Sequence, residues 1–136
     1  MTYRVGIDLG GTKIESAVLD LDSNILFRER VPTQSHLGSG HIINQIYNIY
    51  NMASESIKNE AHTLGIGTPG SISSKTNLLR NSNTLCLNGL PLKLIIEKKL
   101  GKKIAMENDA NCFSLAEATL GSGKDYSCVF GIIMGT

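Results

Sequence analysis

Asp8-Leu9-Gly10-Gly11-Thr12-Lys13 follows directly on the apolar run Tyr3 to Ile7, so a strand runs into a tight glycine turn bracketed by a carboxylate and a lysine. Such a turn can handle phosphate. Two adjacent glycines let backbone N–H groups approach an anion with no Cβ in the way, while Thr12 adds a hydroxyl and Lys13 a positive charge. Asp8 does not suit phosphate itself. It suits Mg²⁺ reached through water, because Mg²⁺ keeps much of its hydration shell and takes only one or two carboxylates. The turn is neither a Walker A loop nor G-x-G-x-x-G, since Ile14 to Leu21 reads as a second strand and no helix follows. A plain hairpin tip uses the same residue types, so the rest of the chain must separate the two readings.

Three short β-rich runs, Tyr3 to Asp8, Ile14 to Leu21 and Ile25 to Val31, are divided by Gly-Gly-Thr and Asp-Ser-Asn turns and predict an antiparallel meander that Pro32 ends. From Ser39 onward, Ile42, Ile46, Ile49, Ala53 and Ile57 recur at spacings of three and four, which predicts a long amphipathic helix. Thr63 to Ile66 is a brief strand leading into the loop Gly67-Thr68-Pro69-Gly70, and residues 71 to 90 are polar and rich in turn formers. Pro91 suits the first turn of a helix that buries Leu92, Ile95, Ile96 and Leu100 and stops at Gly101. Lys103 to Met106 reads as a strand, Asn108 or Asp109 as the cap of a helix running to Leu120, and Tyr126 to Met134 as a last apolar strand.

With 41% hydrophobic and 18% charged residues, the 136-residue chain can bury one real core. Thirteen basic against twelve acidic side chains, with no basic run, point away from nucleic acid and anionic membranes. No stretch nears the roughly 20 apolar residues of a membrane span, and Tyr3 opens a strand with no signal-peptide pattern before it, so a cytoplasmic location is expected. Cys86, Cys112 and Cys128 are far apart without C-x-x-C, which fits buried free thiols better than a zinc site or a disulfide framework. His36, His41 and His62 fall on loops or helix ends and are expected at the surface.

Four segments together resemble the ROK family of bacterial sugar kinases and repressors: the Asp8 to Lys13 turn, Gly67-Thr68-Pro69-Gly70, Asn81-Ser82-Asn83-Thr84 with Asn88-Gly89-Leu90-Pro91, and Glu107-Asn108-Asp109-Ala110-Asn111. Pro69 to Ser73 and Leu87-Asn88-Gly89 look most similar to its fructokinase/mannokinase branch. The resemblance implies an α/β fold: an actin-like ATPase (ribonuclease H-like) lobe, a mixed sheet of order β-β-β-α-β-α-β-α flanked by helices. It further implies ATP-dependent phosphorylation of a hexose, with Mg²⁺, in a homo-oligomer. Asp109 matches the family's catalytic aspartate, the base that takes the hydroxyl proton. Gly10, Gly11, Thr12 and Lys13 would hold the nucleotide phosphates, with Gly135 and Thr136 beginning a second phosphate turn. Gly70, Ser71, Asn83, Asn108 and Asp109 would meet the sugar.

The same residues have plain structural readings: Asn108-Asp109 as a helix cap, and the Asn, Ser, Gly and Pro segments as surface turns. The chain also departs from many relatives in having Leu87, and no Trp anywhere, just before Asn88-Gly89. By the resemblance, residues 1–124 form the N-terminal lobe, 125–136 open the second lobe, and any zinc motif lies beyond. A sugar-sensing repressor of the family would carry a helix-turn-helix ahead of the core. Here the core starts at Tyr3, which favours the kinase.

Overall fold

The structure is a computed structural model that describes residues 2–134. Strands β1 (Tyr3–Leu9), β2 (Lys13–Leu19) and β3 (Ile25–Pro32) form the expected meander, with β2 antiparallel to both neighbours. Helix α1 (Ser39–Ser56) crosses to β4 (His62–Thr68). A small hairpin of β5 (Ser71–Ile72) and β6 (Leu79–Arg80) follows, then α2 (Leu92–Leu100), β7 (Ala105–Asn108) and α3 (Asp109–Leu120).

The sheet order is β3-β2-β1-β4-β7. β4 pairs in parallel with β1 on one side and β7 on the other, so the carboxyl ends of all three emerge at one edge. Register fixes what meets there. Asp8 lies opposite Gly67, Gly67 opposite Glu107, and Thr68 opposite Asn108.

Alternation along the strands sends Val5, Ile7, Leu9, Ile14, Val18, Leu64 and Ile66 to one face, where Ile42, Ile46, Ile49 and Ala53 of α1 and Leu92 and Ile96 of α2 close the core. Gly101 takes the left-handed conformation, φ 63°, that ends α2. On the other face, α3 starts against the carboxyl edge, and the row Ala17, Gly6, Gly65, Ala105 runs across the sheet with open space above both glycines. Among the described residues, no helix is long and apolar enough to cross a membrane.

Three expectations need correction. Tyr126 to Met134 forms no strand; it turns back beside α3, with Gly131 against Ser114, and Phe130 and Met134 are almost wholly exposed. An apolar run becomes a strand only through a ladder partner, and this segment pairs with neither of the sheet's outer strands, β3 and β7. Cys86 and Cys128 are exposed and Cys112 half-buried, so the thiols are free but not core. His36 is exposed as expected, whereas His41 and His62 are half-buried, and His62 Nε2 lies 3.1 Å from the Tyr50 hydroxyl.

These contacts set an expected hierarchy of stability. Ile46→Ala, at a fully buried position, should cost about 2–5 kcal/mol in denaturant unfolding. Removing residues 127–136 should leave the lobe folded, with a nearly unchanged melting temperature, and make it more monodisperse by light scattering, because it strips exposed apolar surface. Cooperative unfolding lost with that deletion would show that the tail is part of the core.

Candidate active site

The glycine turn is built from its carbonyls outward. Gly10 N–H donates to the Lys13 carbonyl at 3.0 Å and closes the β1–β2 tip. A Cβ on Gly10 would stand 2.6 Å from that oxygen, so only glycine fits. Thr33, just beyond β3, is wholly buried beneath the turn; its hydroxyl donates to the Gly10 carbonyl at 2.7 Å and its N–H to the Thr12 carbonyl at 2.9 Å. Gly11, Thr12 and Lys13 are exposed. Gly11 faces Thr84, so the Asn81 to Thr84 loop borders the turn, a juxtaposition no spacing in the sequence reveals.

On the other side of that loop, Gly70 has φ +77°, and a Cβ there would lie 2.8 Å from Ser82 N. Both conditions exclude any other residue. Asn108 Nδ2 donates to the Gly70 carbonyl at 2.6 Å, while its Oδ1 accepts from Ala110 N–H at 3.0 Å and Asn111 N–H at 3.3 Å. Asn108 is thus the cap of α3, as one reading of the sequence had it, and also the latch that holds the Pro69-Gly70 turn to that helix. Its second amide hydrogen meets no acceptor among the described residues. Ser71 is half-buried in β5, which lies beside β7, and Asn83 is exposed at the loop. The loop itself is held by Asn88, whose Oδ1 accepts from Ser82 N–H and whose Nδ2 donates to the Ser82 carbonyl, both at 2.9 Å.

Gly67 joins the two halves. The position its Cβ would occupy is 3.9 Å from Asp8 Oδ1, 3.8 Å from Asp109 Cα and 3.4 Å from Cys112 Sγ. Across Gly67 the first turn of α3 rests on β4 and carries Asp109 beside Asp8. Enclosure by the surrounding protein, then the neighbouring Asp109 and Glu15 carboxylates, raise the Asp8 pKa above its ordinary value. Asp8 as a residue is solvent-accessible, so the like charges are the firmer cause. Glu15 lies opposite Asp8 on β2. Burial opposes its ionisation, but hydrogen bonds and charge from Arg28, at 2.7 Å, and Arg30 prevail and lower its pKa.

Glu107, which had no assigned role, accepts from Asn108 N–H at 2.8 Å and Asn111 Nδ2 at 3.1 Å, which lowers its pKa and ties the end of β7 to the start of α3. Asp109 Oδ1 accepts from Ala110 N–H at 2.8 Å. Burial, then the carboxylates of Glu107, Asp109 and Asp8, push the Cys112 thiol up, so it stays a neutral packing group. Among the described residues, no group of three His, Cys, Asp or Glu side chains gathers to hold a metal. A carboxylate destabilised by like charge at the mouth of the glycine turn fits a hydrated Mg²⁺, which asks for few protein ligands. Gly135 and Thr136 lie outside the described residues.

The sign of the Asp8 shift makes a prediction. A carboxyl whose pKa is raised on folding favours the fold below its unfolded value, about 3.9, and that contribution is lost as the pH rises through its folded value. Asp8→Asn should therefore melt higher than the parent near neutral pH. The gain should be modest, because the site is open to solvent, and should vanish as the pH falls through the ordinary carboxylate range. An equal or lower melting temperature at neutral pH would show that the clustered carboxylates are not repulsive.

Residues 4–136 match the model of the ROK family. The chain is 37% identical over 131 residues to the N-acetyl-D-glucosamine kinase of Haemophilus influenzae, covering 96% of this chain and 42% of that protein. It is 35% identical to that of Histophilus somni, with the same coverage. It spans about two fifths of the length of the curated relatives it matches. Among solved structures, the ROK hexokinase of Thermus thermophilus superposes with TM-score 0.76 at 30% identity, over 90% of this chain and 40% of that one. A ROK glucokinase of Streptomyces griseus, in complex with glucose and AMPPNP, gives 0.74 at 30% identity, over 89% and 38%. These relatives do not support the fructokinase/mannokinase branch that the Pro69 and Asn88 segments suggested; those two segments are held by backbone geometry and loop closure, which many sugars can share. The actin-like lobe is the expected one, and the chain belongs to the ROK family.

Proposed function

We propose that the chain is the N-terminal lobe of an ATP-dependent hexose kinase in which Asp109 is the general base. The carrying observation is the junction at Gly67, which sets Asp109 beside Asp8, at the carboxyl edge of the sheet where the phosphate turn also emerges. Phosphoryl transfer needs a phosphate grip and a proton acceptor on one side of the sheet, and its catalysis is mostly positioning and charge stabilisation. The Gly11 and Thr12 N–H groups of the turn and the Lys13 ammonium would receive the phosphates. The Gly70 turn, Ser71, Asn83 and the second hydrogen of the Asn108 amide would receive the sugar. Asp109 would then take the proton of the hydroxyl that attacks the γ-phosphorus.

Bound Mg²⁺, reached by Asp8 through water, would supply charge compensation on the phosphate oxygens. The relatives' substrates make an aldohexose such as N-acetylglucosamine or glucose the first to try. Keeping both the phosphate turn and Asp109 favours a kinase over a sugar-sensing regulator. The 136-residue chain by itself should show no kinase activity, because two lobes must surround ATP and exclude water.

In a protein that pairs this lobe with a second lobe, Asp109→Asn should lower kcat by about 10²–10⁴ and leave sugar binding nearly intact, since the amide still hydrogen-bonds but accepts no proton. Retention of more than about a tenth of the turnover would remove Asp109 from the role of base. Sugar affinity measured by calorimetry on the same variant separates a lost base from a lost pocket.

A further inference from the structure

The hydroxyl and the N–H of buried Thr33 both go to the glycine turn, to the Gly10 and Thr12 carbonyls. In a planar trans peptide the C=O and N–H point in opposite directions. A carbonyl gripped from beneath therefore decides where its partner N–H aims. The Gly10 carbonyl shares a peptide with the N–H of Gly11, and the Thr12 carbonyl shares one with the N–H of Lys13. Both would be aimed away from Thr33, toward the exposed side of the turn. Gly11 N–H, one of the two so aimed, donates to no protein group among the described residues, so this donor is kept for something outside. The grip also draws two carbonyl oxygens away from any incoming anion.

This arrangement is specified at a distance. Pairing of β2 with β3 sets Pro32 opposite Lys13, which delivers the next residue, Thr33, beneath the turn. The methyl of Thr33 fills a closed site and its hydroxyl does the holding.

We propose that Thr33 is a positioning residue for the polyphosphate of the nucleotide: without touching the ligand, it aims the N–H groups of the Gly10 to Lys13 turn at it. The inference rests on the function proposed above. It is tested on the ¹⁵N-labelled 136-residue chain titrated with tripolyphosphate in the presence of Mg²⁺, following the Gly11 and Lys13 amide signals. N-acetylglucosamine is titrated in parallel and followed at Gly70 and Asn108. The parent should show saturable shifts. Thr33→Val should weaken tripolyphosphate about tenfold, the equivalent of one hydrogen bond, and leave the sugar titration unchanged. Thr33→Ser should stay within about threefold of the parent.

Thr33→Val with parental tripolyphosphate affinity overturns the proposal and leaves the phosphate-turn reading standing. A parent chain with no response to tripolyphosphate overturns both. Should the Val variant fail to fold, Thr33→Ser decides: parental affinity supports the grip, and a loss of tenfold or more shows that packing, not the hydroxyl, matters.

Discussion

The packing of α3 on β4 at Gly67 is the contact on which the site depends. β4 is the central strand of the parallel trio, and at Gly67 it is flanked in register by Asp8 and Glu107. A Cβ there would stand 3.4 Å from the Cys112 sulfur and 3.8 Å from the Asp109 Cα, which is how closely the start of α3 packs on the strand. The helix settles on β4 at this point, and its first residue, Asp109, comes beside Asp8. The closed core on the opposite face, from Val5 and Ile66 to Ile46 and Ile96, keeps the three strand ends from moving apart.

The site holds its parts by backbone groups more than by side-chain pairs. Thr33 secures the glycine turn, Asn88 the Ser82 loop, and Asn108 both Gly70 and the first turn of α3. Each is a short polar residue whose few rotatable bonds make it a precise fastener, and each uses carbonyls or N–H groups that would otherwise go unpaired. Charge is arranged in the opposite sense. Arg28 and Arg30 neutralise Glu15, Asn108 and Asn111 steady Glu107, and Asp8 has no cation of the protein's own beside it, only the Asp109 and Glu15 carboxylates. That imbalance opposes ionisation of Asp8, and the cation proposed for the site would relieve it.

What could be read from the sequence was local or periodic. The Asp8 to Lys13 hairpin, the buried stripe of α1, the Gly101 stop and the Asn108 cap each follow from residues within a few positions of one another. The four motifs named the family, which periodicity alone could not. What stayed hidden depends on pairing between distant segments: Thr33 under a turn 23 residues away, Thr84 facing Gly11, and Cys112 against Gly67. The β7 strand lies two residues later than the apolar pattern suggests, at Ala105–Asn108, because its register against β4 sets it. Tyr126 to Met134 has a strand's composition but lies beside α3 and pairs with no strand of the sheet, a placement composition does not reveal.

The central claim is that phosphate turn and base share one edge of the sheet, across Gly67. Paramagnetic Mn²⁺ delivered with AMPPNP to the ¹⁵N-labelled chain tests it most directly, because line broadening falls off steeply with distance from the ion. The account expects the signals of Asp8, Gly10 to Lys13, Gly67 and Asp109 to broaden first, the effect to fall off along the open sheet face past Gly6 and Gly65, and those of Tyr3, Asp20 to Asn24 and His62 at the far strand ends to persist longest. Broadening centred on that open sheet face, or on α3 and the segment after it, would contradict the account.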